Sequence, residues 1–137
     1  MTSQTLEADP RLQARQLLKS LQEKYTVFKD FKPLAIGIDR QLLAQETGID
    51  RKRLRWALGM HTHSSRYLKT MERASQRFNL DGSLAGEIPD EHRQHATDKL
   101  RERFKNEAER RKAEQEAQEA EKRRTEKLQQ LVQKFTK

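Results

Sequence analysis

The chain has 137 residues, of which 36% are charged and 33% hydrophobic, and a formal net charge of +8. That allows one small-cored domain plus an extension, and no run of about 18 apolar residues is present to make a membrane-spanning helix. Cysteine is absent, which excludes a disulfide framework and a thiolate metal site, and the start MTSQTLEADP lacks the basic and apolar blocks of a secretory signal, so a cytoplasmic location is the simplest reading.

Residues 1–8 read as disordered. Asp9-Pro10 then supplies an N-cap and a first helical position where proline's missing N–H is harmless. Ala14, Leu17, Leu18, Leu21 and Tyr25 recur at helical steps, which predicts a helix ending near Tyr25. Val27, Phe28 and Phe31 follow as core plugs in an irregular linker. Pro33 bars helix for Lys32, and Leu34, Ile36 and Ile38 alternate like a short strand. Asp39 is expected to cap a second helix bearing Leu42 and Leu43, stopped by Gly48. Asp50 is expected to cap a third, Arg51 to Leu58, closed by Gly59. Leu54, Ala57 and Leu58 share one side of it, and Arg51, Lys52 and Arg55 another, with Trp56 beside them. Thr62 to Ser65 crowds hydroxyls at the start of a fourth helix carrying Tyr67, Leu68 and Met71.

Residues 75–88 are the best strand candidate. Phe78 and Leu80 alternate with Arg77 and Asn79, and Asp81-Gly82 is a hairpin-turn pair. With Phe78 and Leu80 inward, Arg77 and Asn79 would face a ligand. Leu84 to Ile88 is the return strand, with Gly86 allowing a bulge. From Asp90 onward there is no glycine or proline, which predicts one long helix. Its stripe Ala96, Leu100, Phe104 and Ala108 would pack on the domain. Pairs such as Glu107–Arg111 and Glu119–Arg123 have the favourable four-residue order. Leu128, Leu131, Val132 and Phe135 form a last apolar face, so the helix would be either a free charged arm that skims RNA or, through that face, a dock for a partner protein. A sustained coiled coil is not expected, because apolar heptad positions fail between Glu109 and Thr125.

The charge is concentrated. Between Arg51 and Arg77 eight basic side chains stand against one acid, Glu72. Such a field seeks a polyanion, and nucleic acid is the default. Two patterns compete for it. Leu43-Ala44, Gly48-Ile49, Leu54 and Ala57 have the spacing of a helix-turn-helix, which would put Arg51 to Arg55 in a DNA major groove.

The second pattern is longer. KPLAIGI (32–38), LRWAL (54–58), SSRYL (64–68), RFNLDG (77–82) and GEIPDEH (86–92) occur in this order, and over roughly residues 10–105 they resemble the FinO/ProQ family of RNA chaperones. The resemblance implies a compact, mainly α domain with a small β-hairpin, here followed by a long C-terminal helix. It also implies binding of structured RNA, such as hairpins with 3′ single-stranded U-rich tails, and a pocket for the 3′ end. Carried over by motif, Arg55, Tyr67 and Arg77 match functional positions, and Lys32, Arg51 and Arg66 would be phosphate contacts nearby. Ala35, His61 and Asn79 depart from the family's usual lysine, aromatic and aspartate.

The chemistry of the patch agrees. Lys52 and Lys69 add charge to it, and Thr62, Ser64 and Ser65 add hydrogen-bond donors where a helix N-terminus already favours phosphate. Arginine forks bind phosphate oxygens in bidentate fashion, and Tyr67 would stack on an unpaired base or bond a terminal hydroxyl. His61 with His63, and His92 with His95, have metal-like spacing, but no cysteine or carboxylate set completes a site. No glycine-rich phosphate loop or nucleophile–base motif points to catalysis. The expectation is therefore a monomeric, non-enzymatic protein without cofactor or metal. Its domain would cover residues 10–108, between a disordered residues 1–9 and a charged helical extension over 109–137. Its partners would be small regulatory RNAs and mRNA 3′ ends, with duplex DNA as the alternative.

Overall fold

The computed structural model describes residues 9–136. The disorder expected for residues 1–8 lies outside them. Asp9 accepts a hydrogen bond from the Arg11 N–H at 3.0 Å and starts α1 (Pro10–Lys24). The helix ends one residue before Tyr25, which is extended. Residues 26–29 are not an irregular linker: the Tyr25 carbonyl accepts from Phe28 and Lys29, closing one helical turn, α2 (Thr26–Lys29). Val27 and Phe28 are buried there as plugs. The Lys32 N–H then reaches back to the Val27 carbonyl at 3.0 Å, a Schellman closure that forces φ of +52° on Phe31.

The alternation expected at residues 34–38 fails. Leu34 and Ala35 are both buried, while Ile36 is 81% exposed. Leu34 makes a single parallel bridge to Phe78, after which Gly37 at φ +84° turns the chain into α3 (Ile38–Gln45). Gly37 is thus the N-cap, and Asp39 sits in the first turn instead. Gly48 is left-handed as expected, beyond the helix end. Asp50 caps α4 (Arg51–Thr62), accepting from the Arg53 N–H at 3.3 Å. This helix does not close at Gly59. It runs on to Thr62, because Leu54, Ala57 and His61 continue one buried face past the glycine. Ser64 caps α5 (Ser65–Arg73), its hydroxyl accepting from the Tyr67 N–H at 3.2 Å, and Tyr67, Leu68 and Met71 are buried.

The hairpin is shorter than residues 75–88. Strands β1 (Gln76–Phe78) and β2 (Leu84–Glu87) pair antiparallel, with Arg77 opposite Gly86 and Phe78 opposite Leu84, so a bulge falls at Ala85-Gly86. The connection is not a two-residue Asp81-Gly82 turn. Asn79 accepts from the Gly82 N–H at 2.9 Å and donates to the Ser83 carbonyl at 2.8 Å, leaving a three-residue loop that ends on Gly82 at φ +90°.

The last helix, α6, spans Asp90–Phe135. Ala96 and Leu100 are buried, but Phe104 is 68% exposed and Ala108 is exposed too, so the stripe stops at Leu100. The chain divides there into two compact units. In the first, Phe28, Leu42, Leu54, His61 and Val27 are the largest fully buried side chains. The second is a charged helix. Glu107 pairs with Arg111 as expected, at 3.3 Å, and with Arg110. Among the described residues Glu119–Arg123 does not pair, and Glu121–Arg124 does. Leu128, Leu131, Val132 and Phe135 are exposed. The fold is mainly helical, with one small antiparallel sheet and a long C-terminal helix, as the sequence suggests.

Candidate nucleic-acid interface

The helical repeat of α4 sorts its residues. Leu54 and Ala57 point inward, which leaves Arg51, Lys52 and Arg55 exposed as one basic ridge. Trp56 lies beside them and is 39% exposed. Arg53 is drawn out of the ridge: its guanidinium donates to Gln13 Oε1 at 2.8 Å and ties α4 to α1.

Two further cations are seated on aromatic rings. The Arg66 guanidinium lies 4.5 Å from the Phe31 ring centre, and Lys32 Nζ lies 5.0 Å from that of Phe78. Such contacts contribute about 0.5–1 kcal/mol at exposed sites. They hold the charge in place without neutralising it. Among the described residues no carboxylate pairs with Lys32, Arg51, Lys52, Arg55, Arg66, Lys69 or Arg77. Lys69 is exposed on α5.

The hydroxyl cluster divides. Thr62 ends α4 instead of starting α5, and its hydroxyl donates to the Leu58 carbonyl at 2.9 Å. Ser64 caps α5 and donates to the His61 carbonyl at 2.7 Å. Ser65 is exposed at the first position of α5.

Tyr67 and Arg77 come from different elements and meet on one residue. The Tyr67 hydroxyl accepts the Leu34 N–H at 3.0 Å, and Arg77 Nη1 donates to the Leu34 carbonyl at 2.9 Å. Arg77 Nη2 lies 3.0 Å from His92 Nδ1, and its Nε is buried without a partner. Burial pushes the Tyr67 phenol up, opposed by the Leu34 N–H and the Arg77 guanidinium, so the hydroxyl keeps its hydrogen. A phenol that accepts one bond still has that hydrogen to donate. Tyr67 is 5% exposed, so the site offers its hydroxyl and not an open face for stacking.

Both residues line a cavity of about 310 Å³ together with Thr62, His63, His92, His95 and Lys99, over a floor of Leu68, Met71 and Ala96. Arg77 thus faces a cavity as expected, but Asn79 does not join it. Asn79 is held between Gln41 and Ser83, at 2.9 and 3.1 Å. The reading from sequence missed His63, His92, His95 and Lys99. The histidine spacing was the available signal, but it points to metal only by habit. Among the described residues no cluster of His, Asp and Glu could hold a metal ion.

The chain is similar to known proteins. The ProQ/FINO family model matches residues 12–113. An RNA chaperone ProQ from Idiomarina loihiensis is 38% identical over 100 residues, which cover 71% of this chain and 48% of that protein. One from Shewanella baltica is 43% identical over 74 residues, covering 52% and 35%. The chain therefore spans about half, or less, of the length of these curated relatives. The crystal structure of a FinO-like RNA chaperone from Neisseria meningitidis aligns at a TM-score of 0.59 with 37% identity, covering 61% of this chain and 89% of that one. The family match takes in the basic ridge, the capped α5 with Tyr67, and the hairpin arginine beside it, and the chain belongs to the ProQ/FINO family.

Proposed function

We propose that this chain is an RNA chaperone, a binding protein and not an enzyme. It grips hairpins that carry a 3′ single-stranded, U-rich tail, shields the 3′ end from exonucleases, and promotes pairing of small regulatory RNAs with their targets. The observation that carries this reading is the meeting of Tyr67 and Arg77 on Leu34, at a cavity that no carboxylate lines among the described residues. Arg51, Lys52, Arg55, Arg66 and Lys32 hold backbone phosphates along the stem. The tail ends in the cavity, where the Tyr67 hydroxyl and the Arg77 guanidinium meet its last nucleotide. The relatives' names support the class of ligand.

The test compares two hairpins, one ending in a 3′ hydroxyl and one in a 3′ phosphate. Wild type prefers the hydroxyl form. Arg77→Ala and Tyr67→Phe narrow that preference, each removing a contact worth about 1–3 kcal/mol. Tyr67→Phe is chosen because the ring is core and an alanine there would leave a hole. Lys69→Ala, outside the cavity, weakens both RNAs evenly and lowers the log–log salt slope by roughly 0.7–0.9. Equal losses on both RNAs for all three variants would reduce the cavity to part of an electrostatic surface. A duplex DNA of matched charge binding equally well would favour the helix-turn-helix reading.

A further inference from the structure

Tyr67 and Arg77 share their cavity with three histidines and a lysine. His63 comes from the junction of α4 and α5, and His92, His95 and Lys99 from the first turns of α6. Among the described residues no carboxylate lines the cavity. The hydrogen bonds fix what two of the rings can do. His63 Nδ1 lies 2.8 Å from the Gly59 carbonyl, which only accepts. Nδ1 therefore carries hydrogen, and Nε2 is the nitrogen that takes a further proton. His92 Nδ1 lies 3.0 Å from Arg77 Nη2, which only donates. His92 is therefore neutral while that bond stands. Adding a proton there sets donor against donor and cation against cation. An anion between Arg77 and His92 would relieve that repulsion.

The groups around His92 are all neutral or basic. Arg77 faces it from β1, Tyr67 from α5 and His63 from the α4–α5 junction, with His95 and Lys99 on its own helix. Neighbouring carboxylates are engaged or turned away. Glu72 accepts from Thr97 at 3.2 Å, Asp90 pairs with Arg93, and Glu87 and Glu91 are exposed outside the lining.

We propose that this cavity is also a site for the phosphate at an RNA end, filled when its histidines are protonated. The proposal rests on the cavity being the 3′-end pocket argued above. With neutral histidines the cavity suits a hydroxyl end. With protonated ones, His63 Nε2 and His92 Nδ1 become donors beside Arg77 and Lys99, and a terminal phosphate satisfies them. Proton and phosphate each raise the other's affinity by the same factor. The ligand class is RNA left with a phosphate at its 3′ end, as when an RNA's own 2′ hydroxyl attacks the adjacent phosphate, expels the next nucleotide and closes a 2′,3′-cyclic phosphate.

The experiment uses one hairpin with a U-rich tail, made with a 3′ hydroxyl or a 2′,3′-cyclic phosphate. The cyclic diester keeps one negative charge over the range tested, so only the protein titrates. Dissociation constants are measured by fluorescence anisotropy at constant ionic strength from about pH 8 to about pH 5.5, where histidine gains its proton. On acidification the cyclic-phosphate RNA gains about tenfold more affinity than the hydroxyl RNA, the size of one added charge-assisted hydrogen bond. His92→Gln keeps an acceptor for Arg77 but takes no proton, and His63→Gln acts as a second, independent variant. Each shrinks the difference, and circular dichroism decides which variants are folded and count. Identical pH dependence for both RNAs, or a wild-type difference retained in every folded variant, overturns the phosphate site. A failed 3′-end reading looks different: both ends bind equally at every pH, and Tyr67→Phe changes neither.

Discussion

His61 stands between rings. It stacks on Phe31 at 4.5 Å, tilts against Phe28 at 4.9 Å and Tyr67 at 5.5 Å, and is 1% exposed. Its Nε2 has no partner, and burial pushes its pKa from 6.5 down to about 4. The unfolded chain therefore takes the proton first as pH falls. Stability is lost between about pH 6.5 and pH 4 and levels off below that, by about 3 kcal/mol for a shift of this order. His61→Phe keeps the stack and drops the titration. Urea denaturation should show it more stable than wild type, by a margin that grows as pH falls through that window. The sequence marks His61 as standing where the resemblance expects an aromatic. Its burial was hidden because Gly59, read as a helix stop, removed His61 from the inward face that Leu54 and Ala57 define. Neither was the meeting of Tyr67 and Arg77 on Leu34 legible in the spacing, since it joins residues 33 and 43 positions apart.

Glycine means different things in different elements. Gly59 has helical neighbours, no positive φ, and nothing within 4 Å of where a Cβ would stand. Gly82 holds φ +90° at the end of the hairpin loop. Gly59→Ala is expected to raise stability by about 0.5–1 kcal/mol by favouring helix. Gly82→Ala is expected to lower it by roughly 1 kcal/mol, because an L-residue resists that conformation. Thermal melts of the two variants should move in opposite directions, and a destabilised Gly59→Ala would mean that α4 breaks there after all. Helix faces and polar caps were readable in advance: Asp9, Asp50, and the inward sides of α1, α4 and α5. Boundaries governed by tertiary contacts were not. The turn at Thr26–Lys29 exists because Val27 and Phe28 have a core to fill, and Ile36 turns outward because the chain must swing through Gly37.

At the scale of the molecule, apolar burial among the described residues stops at Leu100. The first compact unit closes at Leu100, and every described residue from Ala108 to Thr136 is exposed. A chain ending at Ala108 is expected to melt within about 2 °C of the full chain, since surface positions rarely carry more than about 0.5 kcal/mol. A large drop on calorimetry would show that the distal helix belongs to the cooperative unit. That a long helix follows Asp90 was plain from the lack of glycine and proline. The end of its buried stripe was not, because Phe104 has the right spacing but remains exposed. Two of the residues that line the cavity, Tyr67 and Arg77, are held by a group that belongs to no side chain. Leu34 presents its peptide N–H to Tyr67 and its peptide carbonyl to Arg77. Alanine scanning is therefore blind to it: Leu34→Ala trims the core yet leaves both bonds, whereas Leu34→Pro deletes the donor and keeps the acceptor. This part of the frame rests on the path of the main chain, so exchanges among apolar residues at position 34 are expected to leave both bonds in place.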